Sequence, residues 1–201
     1  MSFESVSKFE TEIAKFFGSP YAIAVDSCTH GIELCLRYEG YPKITVPTRT
    51  YISIPFLSKK LCLDMEWSEE EWKDYYEIGG WIGKPTGVID AAVFWKRDGY
   101  IPGKFMCLSF QFQKHLSLGR GGMILTDDAD AAKKLKKMSY DGREPNVPWR
   151  EQNIDTMGYH YYMTPETAEI GINKLQKAIK TEPREWTVQD WPDLRDMEIF
   201  K

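Results

Sequence analysis

Apolar positions repeat with helical spacing near the start of the chain and cluster like a strand directly after it. One helical face collects Phe3, Val6, Phe9, Ile13 and Phe17. Gly18 is suited to end this helix. The next segment, "YAIAVDS", predicts a short buried strand, and the apolar spacing after it predicts a second helix from about Thr29 to Tyr38. A strand therefore feeds directly into a helix.

The alternation of strands and helices continues along most of the chain. Further strands are predicted at "KITVP", "KLCLDM", "TGVIDAAVF", "KFMCLSF" and "GGMILTDD". Further helices are predicted at "SEEEWKDYY", where Ser68 and Glu71 have the spacing of a capping box, at "ADAAKKLKKM", and at "TPETAEIGINKLQKAI", where Thr164 is the expected cap. The segment "TYISIPFLSK" fits either a helix or an irregular stretch. The polar, aromatic chain from Tyr140 to Tyr162 predicts a loop.

This pattern predicts an α/β fold with a mainly parallel sheet and helices on both faces. A length of 201 residues is compatible with one domain. We expect a compact α/β domain over residues 1–181 and a C-terminal tail over residues 182–201. In sheets of this kind ligands bind beyond the carboxyl ends of the strands.

The amino-acid composition argues against some classes of binding partner. Hydrophobic residues make up 42% and aromatic residues 14% of the chain, which is typical of a folded protein. The 26 basic and 30 acidic residues are interspersed, so a nucleic-acid partner is not expected. Neither a long apolar stretch nor an export signal is present, so we expect no membrane association and a cytoplasmic location. The four cysteines and three histidines lack the spacing of a metal site or a disulfide framework.

Chemically useful groups follow four of the predicted strands. In "VDSCTHG" a strand gives way to a helix, so the backbone N–H groups of Cys28 and Thr29 can bind an anion. The other candidates follow other strand ends: Tyr51, Asp90, Ser109 and Lys114. Because the carboxyl ends of parallel strands meet at one edge of a sheet, we expect all of these groups to lie together.

The combination matches the needs of pyridoxal phosphate. This cofactor requires an amine for a Schiff base, an anion site for its phosphate, a flat face against its ring, and a carboxylate that keeps the pyridine nitrogen protonated. Lys114 has no lysine neighbour between Lys104 and Lys133, so it does not belong to a charged run. Burial would favour its neutral, nucleophilic form.

Several segments, in order from about residue 8 to residue 178, carry a resemblance to a known family: "FETEIAKFFGSPYAIAVDSCTHGIEL", "VPTRTYISI", "VIDAA", "SFQFQKHLSLGRGGMILTDD" and "MGYHYYMTPETAEIGINKLQK". The most specific is Ser-Phe-x-x-x-Lys followed by Gly-x-Gly-Gly. The chain resembles the pyridoxal-phosphate-dependent sugar aminotransferases of the DegT/DnrJ/EryC1/StrS family. The resemblance implies the fold type I architecture of aspartate aminotransferase. It also implies that this chain corresponds to the large domain of that architecture.

The resemblance also implies a role for each candidate residue. It implies that Lys114 forms the Schiff base, that Asp90 faces the pyridinium nitrogen, and that Ser109 binds the phosphate. It further implies that Tyr51 stacks on the cofactor ring.

Two further implications concern the phosphate. By the same resemblance, Cys28 and Thr29 fall in the phosphate-binding turn. His160, in "GYHYYMT", falls where the family usually has an asparagine that reaches the phosphate of the neighbouring subunit. A homodimer with a shared active site is therefore implied.

The sequence departs from the family pattern at several points. Cys28 stands where members normally have Gly, Val93 where they have His or Gln, and Arg120 where they have Glu. The stretch from Ser53 to Asp90 is short, which predicts the loss of a strand-helix unit. The C-terminal small domain of full-length members is expected to be largely absent.

Two functional hypotheses follow. The first is an aminotransferase that moves an amino group from an amino acid such as glutamate to a keto group of a nucleotide sugar, with Arg49, Arg120 and Arg143 as candidates to bind the donor carboxylate. The second is a truncated, catalytically impaired homologue that binds the cofactor, or keeps only the scaffold, and acts through a partner chain. Family relatives in which histidine replaces the lysine are sugar dehydratases, so Lys114 disfavours that activity.

Overall fold

The computed structural model describes residues 3–80 and 85–201. Within these ranges the α-helices are α1 (Glu4–Phe17), α2 (Cys28–Glu39), α3 (Ser53–Leu61), α4 (Ala129–Ser139) and α5 (Pro165–Lys180). The strands are β1 (Tyr21–Val25), β2 (Lys43–Pro47), β3 (Asp64–Ser68), β4 (Tyr76–Gly79), β5 (Pro85–Asp90), β6 (Phe105–Ser109) and β7 (Gly122–Thr126). Short 3-10 turns lie at Trp149–Glu151, Val188–Asp190, Leu194–Asp196 and Glu198–Phe200.

The seven strands form one sheet in the order β1-β7-β6-β5-β4-β2-β3. β5 and β6 are parallel, as are β2 and β3, whereas β4 and β7 run antiparallel to their neighbours. Five of the seven described strands therefore point the same way. Their carboxyl ends share one edge of the sheet, which we call the site edge.

Helices cover both faces of the sheet, as the sequence predicts. Two hydrophobic clusters separate by face because successive strand residues point to opposite sides. In β1, Ile23 and Val25 join the cluster under α2, α3 and α4, whereas Ala24 joins the cluster under α1 and α5. The alternation confirms a three-layer α/β architecture.

Strand β4 stands where the sequence predicts a helix. The stretch after Ser68 was expected to start a helix, but no helix lies among the described residues between β3 and β5. The Ser68 hydroxyl instead accepts the backbone N–H of Glu70 at 3.1 Å, which closes a turn. Trp72, Tyr76 and Ile78 are all buried, and this burial against the sheet outweighs the local helix signal. Between β3 and β5 the described residues contain strand β4 and no helix, and the loss of a strand-helix unit relative to the family stays a prediction.

The direction of β4 follows from the length of its connection to β5. A parallel crossover needs a dozen or more residues, and only residues 80–84 separate Gly79 from Pro85. The two strands therefore pair antiparallel, with Tyr76 opposite Asp90. This pairing places the first residue of β4 at the site edge.

Most other predicted elements are confirmed with small shifts of boundary. "TYISIPFLSK" contains α3, and the strand expected at "KLCLDM" begins later, at Asp64. Thr164 caps α5 by accepting the backbone N–H of Thr167. The loop after α4 runs beside β1, where Asp26 N–H donates to the carbonyl of Tyr161 at 2.8 Å.

Neither a membrane-spanning helix nor a metal site is found among the described residues. None of the helices there is long and apolar enough to cross a membrane. In the same part of the chain, no cluster of three or more His, Cys, Asp or Glu side chains could hold a metal ion.

A substitution at Gly122 tests how closely the backbones pack at the site edge. A Cβ at this position would lie 2.5 Å from both the backbone N of Cys28 and the carbonyl carbon of Ser27, where two backbones meet. We expect Gly122→Ala to lower the free energy of unfolding by about 3 kcal/mol, measured by urea denaturation. Gly103→Ala is the control, because its Cβ meets nothing within 4 Å and only its positive φ of 74° costs about 1 kcal/mol. Equal losses in the two variants would contradict this account of the packing.

Candidate active site

A cavity of about 360 Å³ opens at the site edge. Residues that follow β1, β2, β5 and β6 line it, together with residues that begin β4 and precede β7. The volume lies in the range of small-molecule binding sites. Six of the residues predicted from the sequence line this cavity: Cys28, Thr29, Tyr51, Asp90, Ser109 and Lys114.

The start of α2 forms one wall of the cavity. Ser27 caps the helix by accepting the backbone N–H of His30 at 3.2 Å. The backbone N–H groups of Cys28 and Thr29 belong to the first helical turn, where no intrahelical acceptor is available to them. Such a turn attracts an anion through its N–H groups and the helix dipole.

Cys28 fits this turn although glycine is usual there in the family. It is not among the described residues with positive φ, so its backbone requires no glycine. Its thiol points away from the helix start and donates to the carbonyl of Cys107 at 3.2 Å. Burial raises the pKa of the Cys28 thiol well above its usual value, so the thiol stays protonated.

An ion-pair network flanks the start of α2. Asp26 contacts Nδ1 of His30 at 2.6 Å and the Arg120 guanidinium at 2.7 Å. Burial alone would raise the pKa of Asp26, but these two partners outweigh it and hold the pKa below its usual value. His30 in turn stacks on Tyr161 with ring centroids 3.6 Å apart. Of the three arginines considered for a donor carboxylate, Arg120 lines the cavity, whereas Arg49 and Arg143 do not.

Asp90 is the buried acid of the site. Its Oδ2 accepts the hydroxyl of Tyr76 at 2.8 Å, and its Oδ1 accepts the backbone N–H of Ala92 at 3.0 Å. Burial raises the pKa of Asp90, and the hydrogen bonds from Tyr76 and Ala92 and the charge of Lys114 oppose that shift. The carboxylate thus depends on its partners to remain charged.

Lys114 lies half-buried in the loop after β6, and its backbone N–H closes a turn on the carbonyl of Gln111. Burial lowers the pKa of Lys114, and the negative charge of Asp90 opposes this shift without cancelling it. Two indole rings lie beside the amine, with Trp186 at 5.0 Å and Trp191 at 5.7 Å from Nζ. A lysine in such a place is more often neutral than one in water.

The C-terminal segment, residues 182–201, contributes to the cavity wall. Trp191 lines the cavity and meets the ring of Tyr51 edge-on at 6.0 Å. Its carbonyl accepts Arg49 Nη1 at 2.8 Å, and the backbone N–H of Leu194 donates to the carbonyl of Thr48 at 2.8 Å. Leu194 is 1% exposed, so the segment is packed against the residues that follow β2.

One predicted site residue lies outside the cavity. The side chain of His160 is 72% exposed, and its Nδ1 lies 3.1 Å from Asp141 Oδ2 on the loop after α4. Conversely, Tyr76, Thr50 and Trp191 line the cavity and were not predicted. The buried aromatic alternation of "WKDYYEI" was the available signal for Tyr76, whereas no sequence pattern marks Trp191.

Comparison with known proteins places this geometry in context. The family model described as the DegT/DnrJ/EryC1/StrS aminotransferase family matches residues 1–55 and 96–187. The chain belongs to this family. The unmatched stretch between the two parts contains β3, β4 and β5, and therefore both Tyr76 and Asp90.

Individual relatives match this chain over 35% to 87% of its length, and in each case over only part of their own. An uncharacterised protein of Methanocaldococcus jannaschii is 33% identical over 85% of this chain and 56% of its own. A GDP-perosamine synthase of Caulobacter vibrioides is 36% identical over 35% of this chain. The crystal structure of a sugar aminotransferase from Micromonospora echinospora matches with a TM-score of 0.72 and 16% identity, over 87% of this chain and 61% of that one. The chain thus spans less than two thirds of the length of these proteins, and the shared fold is that of pyridoxal-phosphate-dependent aminotransferases.

The lowered pKa of Lys114 can be measured directly. In the cofactor-free protein we expect its acetylation rate, followed by mass spectrometry against pH, to reach half-maximum below the ordinary lysine value of about 10.4. Asp90→Asn removes a negative charge that favours the ammonium form, so the midpoint should fall further. Asp141→Asn, remote from the cavity, is the matched control. A midpoint that rises in Asp90→Asn would contradict the assigned electrostatics.

Proposed function

We propose that the chain binds pyridoxal phosphate and acts as an aminotransferase, moving an amino group from an amino acid such as glutamate to a keto group of a nucleotide sugar. One observation carries the proposal. A lysine of lowered pKa and a buried aspartate line a single cavity that also receives the N-terminus of α2. Membership of the aminotransferase family supports the same reading.

The groups in the cavity fit the cofactor part by part. The first N–H groups of α2, at Cys28 and Thr29, and the Ser109 hydroxyl suit its phosphate. The Asp90 carboxylate suits a protonated ring nitrogen, which is a good partner for a buried acid. Lys114 would hold the cofactor covalently through its amine.

Pyridoxal phosphate, when bound, supplies an electron-accepting ring that stabilises negative charge on the carbon losing a proton. Lys114 then acts through Nζ, because lowering the pKa of an amine makes its neutral, proton-accepting form easier to reach. Asp90 keeps the ring nitrogen charged. The indoles of Trp186 and Trp191 cover the amine and limit its access to water.

The substrate class is inferred from relatives. The Caulobacter relative is named a GDP-perosamine synthase and the Micromonospora structure a sugar aminotransferase, which supports a nucleotide-linked keto-sugar as acceptor. For the donor, Arg120 lies in the cavity lining and could receive a carboxylate if it left its ion pair with Asp26.

We also propose that the chain works as a homodimer and that residues 182–201 serve the compact domain of residues 1–181 as a wall of the site. The exposure of His160 supports the first point, since a neighbouring protomer could reach its side chain, which pairs with Asp141 at the surface. The packing of Trp191 and Leu194 supports the second.

Absorbance spectroscopy tests the proposed cofactor. Protein mixed with pyridoxal phosphate and desalted should retain a visible absorbance band, which should change when glutamate is added. Lys114→Ala should lose the band completely, because it lacks the amine. Lys133→Ala, at an exposed position of α4, is the matched control and should keep it.

Reduction with borohydride before digestion should then leave the label on the Lys114 peptide alone. A wild-type protein without any band would overturn the proposal and favour the alternative, a scaffold homologue that acts through a partner chain. A band that does not change on addition of glutamate or any other amino acid would support cofactor binding but contradict aminotransferase activity.

A complementation experiment tests the shared site. His160→Ala should weaken cofactor binding by about tenfold, as expected for the loss of one hydrogen bond to a charged group. Co-expressed with Lys114→Ala under different tags, it should give mixed dimers in which one site of two binds with wild-type affinity. Affinity in the mixed dimers no better than in His160→Ala alone would show that each site is built within one protomer.

A further inference from the structure

The reversed strand β4 brings an unassigned side chain to the buried acid. Tyr76 lies directly opposite Asp90 in the antiparallel pairing of β4 with β5, so the two side chains share one face of the sheet. Tyr76 is 3% exposed and lines the cavity. The family match does not extend to this strand.

We infer that Tyr76 is a positioning residue for Asp90: its hydroxyl holds one carboxylate oxygen in place and favours the charged form, while a second acceptor position on that oxygen stays open for the ring nitrogen of the cofactor. This inference rests on the proposed function. Lys114 and Asp90 touch the cofactor in that scheme, whereas Tyr76 acts through Asp90.

The direction of the hydrogen bonds is fixed by chemistry. A carboxylate only accepts, so the Tyr76 hydroxyl donates to Asp90 Oδ2 at 2.8 Å. The same tyrosine oxygen lies 2.6 Å from Thr50 Oγ1, and because its own proton is committed, it accepts from Thr50. Thr50 is 2% exposed, so the chain from Thr50 through Tyr76 to Asp90 is almost entirely buried at the wall of the cavity.

Counting acceptor positions shows what remains for a ligand. A carboxylate offers about four lone-pair positions. The Ala92 N–H takes one on Oδ1, the Cys28 thiol approaches Oδ1 at 3.9 Å, and Tyr76 takes one on Oδ2. The single Cys28 proton is donated to the Cys107 carbonyl, so one position stays open on each carboxylate oxygen. Tyr76 holds Oδ2 in place while leaving the second position of that oxygen available.

The charge of Asp90 depends on groups from every element packed around it. Tyr76 reaches it from β4, Cys28 from α2, Cys107 from β6 and Lys114 from the following loop. Burial raises the pKa of Asp90, and the Tyr76 hydroxyl is the first of the opposing contributions. Without that hydroxyl, protonated Asp90 becomes easier to form, and a neutral acid cannot keep a ring nitrogen charged.

Tyr76→Phe removes the hydroxyl and keeps the ring that packs on Trp72 at 5.3 Å. Tyr75→Phe is the matched control, since Tyr75 packs on Phe94 and is absent from the cavity lining. Thr50→Val keeps the bond between Tyr76 and Asp90 but removes the donor behind it. Circular dichroism and urea unfolding establish that each variant is folded.

The first measurement uses the cofactor-free protein. The ¹³Cγ signal of Asp90, assigned by its loss in Asp90→Asn, is titrated by NMR. We expect the midpoint to rise in Tyr76→Phe, to rise less in Thr50→Val, and to stay at the wild-type value in Tyr75→Phe. An unchanged midpoint in folded Tyr76→Phe would overturn the inference. Thr50→Val provides the second test should Tyr76→Phe not fold, and an unchanged midpoint there would overturn it as well.

The second measurement uses pyridoxal phosphate labelled with ¹⁵N in its ring. In wild type and Tyr75→Phe the ring-nitrogen shift should report a protonated nitrogen. In Tyr76→Phe the protonated fraction should fall, and the dissociation constant should rise by about tenfold or more. If the wild-type protein binds no pyridoxal phosphate, the proposed function is overturned, whatever the titration of Asp90 shows. Wild type that binds it, with the same ring-nitrogen shift and affinity in Tyr76→Phe, overturns this inference alone.

Discussion

The site is organised around a carboxylate that the fold removes from water. Transferring such a group into a protein interior costs several kcal/mol unless hydrogen bonds and an opposite charge offset it. Asp90 obtains its hydrogen bonds from Tyr76 and Ala92 and its opposite charge from Lys114. These partners come from β4, the turn after β5 and the loop after β6. The hydrogen bonds and charge that stabilise one buried acid therefore hold three segments together at the site edge.

The length of one connection decides which residue of β4 meets that acid. Had β4 run parallel to β5, its last residue, Gly79, would stand at the site edge and would offer no side chain. The short connection forces the antiparallel direction, and Tyr76 at the first position of β4 arrives there instead. The length of the connection between two strands therefore decides which side chain reaches the site edge. The overall fold nevertheless matches that of longer aminotransferases.

The sequence predicted the parts of the fold that depend on local periodicity and on the rule for strand ends. Helix α5 with its Thr164 cap and six residues of the cavity lining follow from these signals. The incorrect helix prediction at Ser68 has a clear cause: a capping-box spacing is a local signal, whereas β4 is held by its pairing with β2 and β5. Trp191 was missed for a related reason, since its contacts with Arg49 and Tyr51 span some 140 residues of chain and leave no periodic trace.

The C-terminal segment affects Lys114 in two opposing ways, and their magnitudes decide the outcome. The indole faces of Trp186 and Trp191 attract an ammonium group, and such contacts are worth roughly 0.5–2 kcal/mol. The same residues add to the burial of the amine, and burial favours its neutral form. The pKa of Lys114 lies below its usual value, so burial also outweighs the opposing charge of Asp90. The larger effect at this amine therefore favours the neutral form, which can act as nucleophile and proton acceptor.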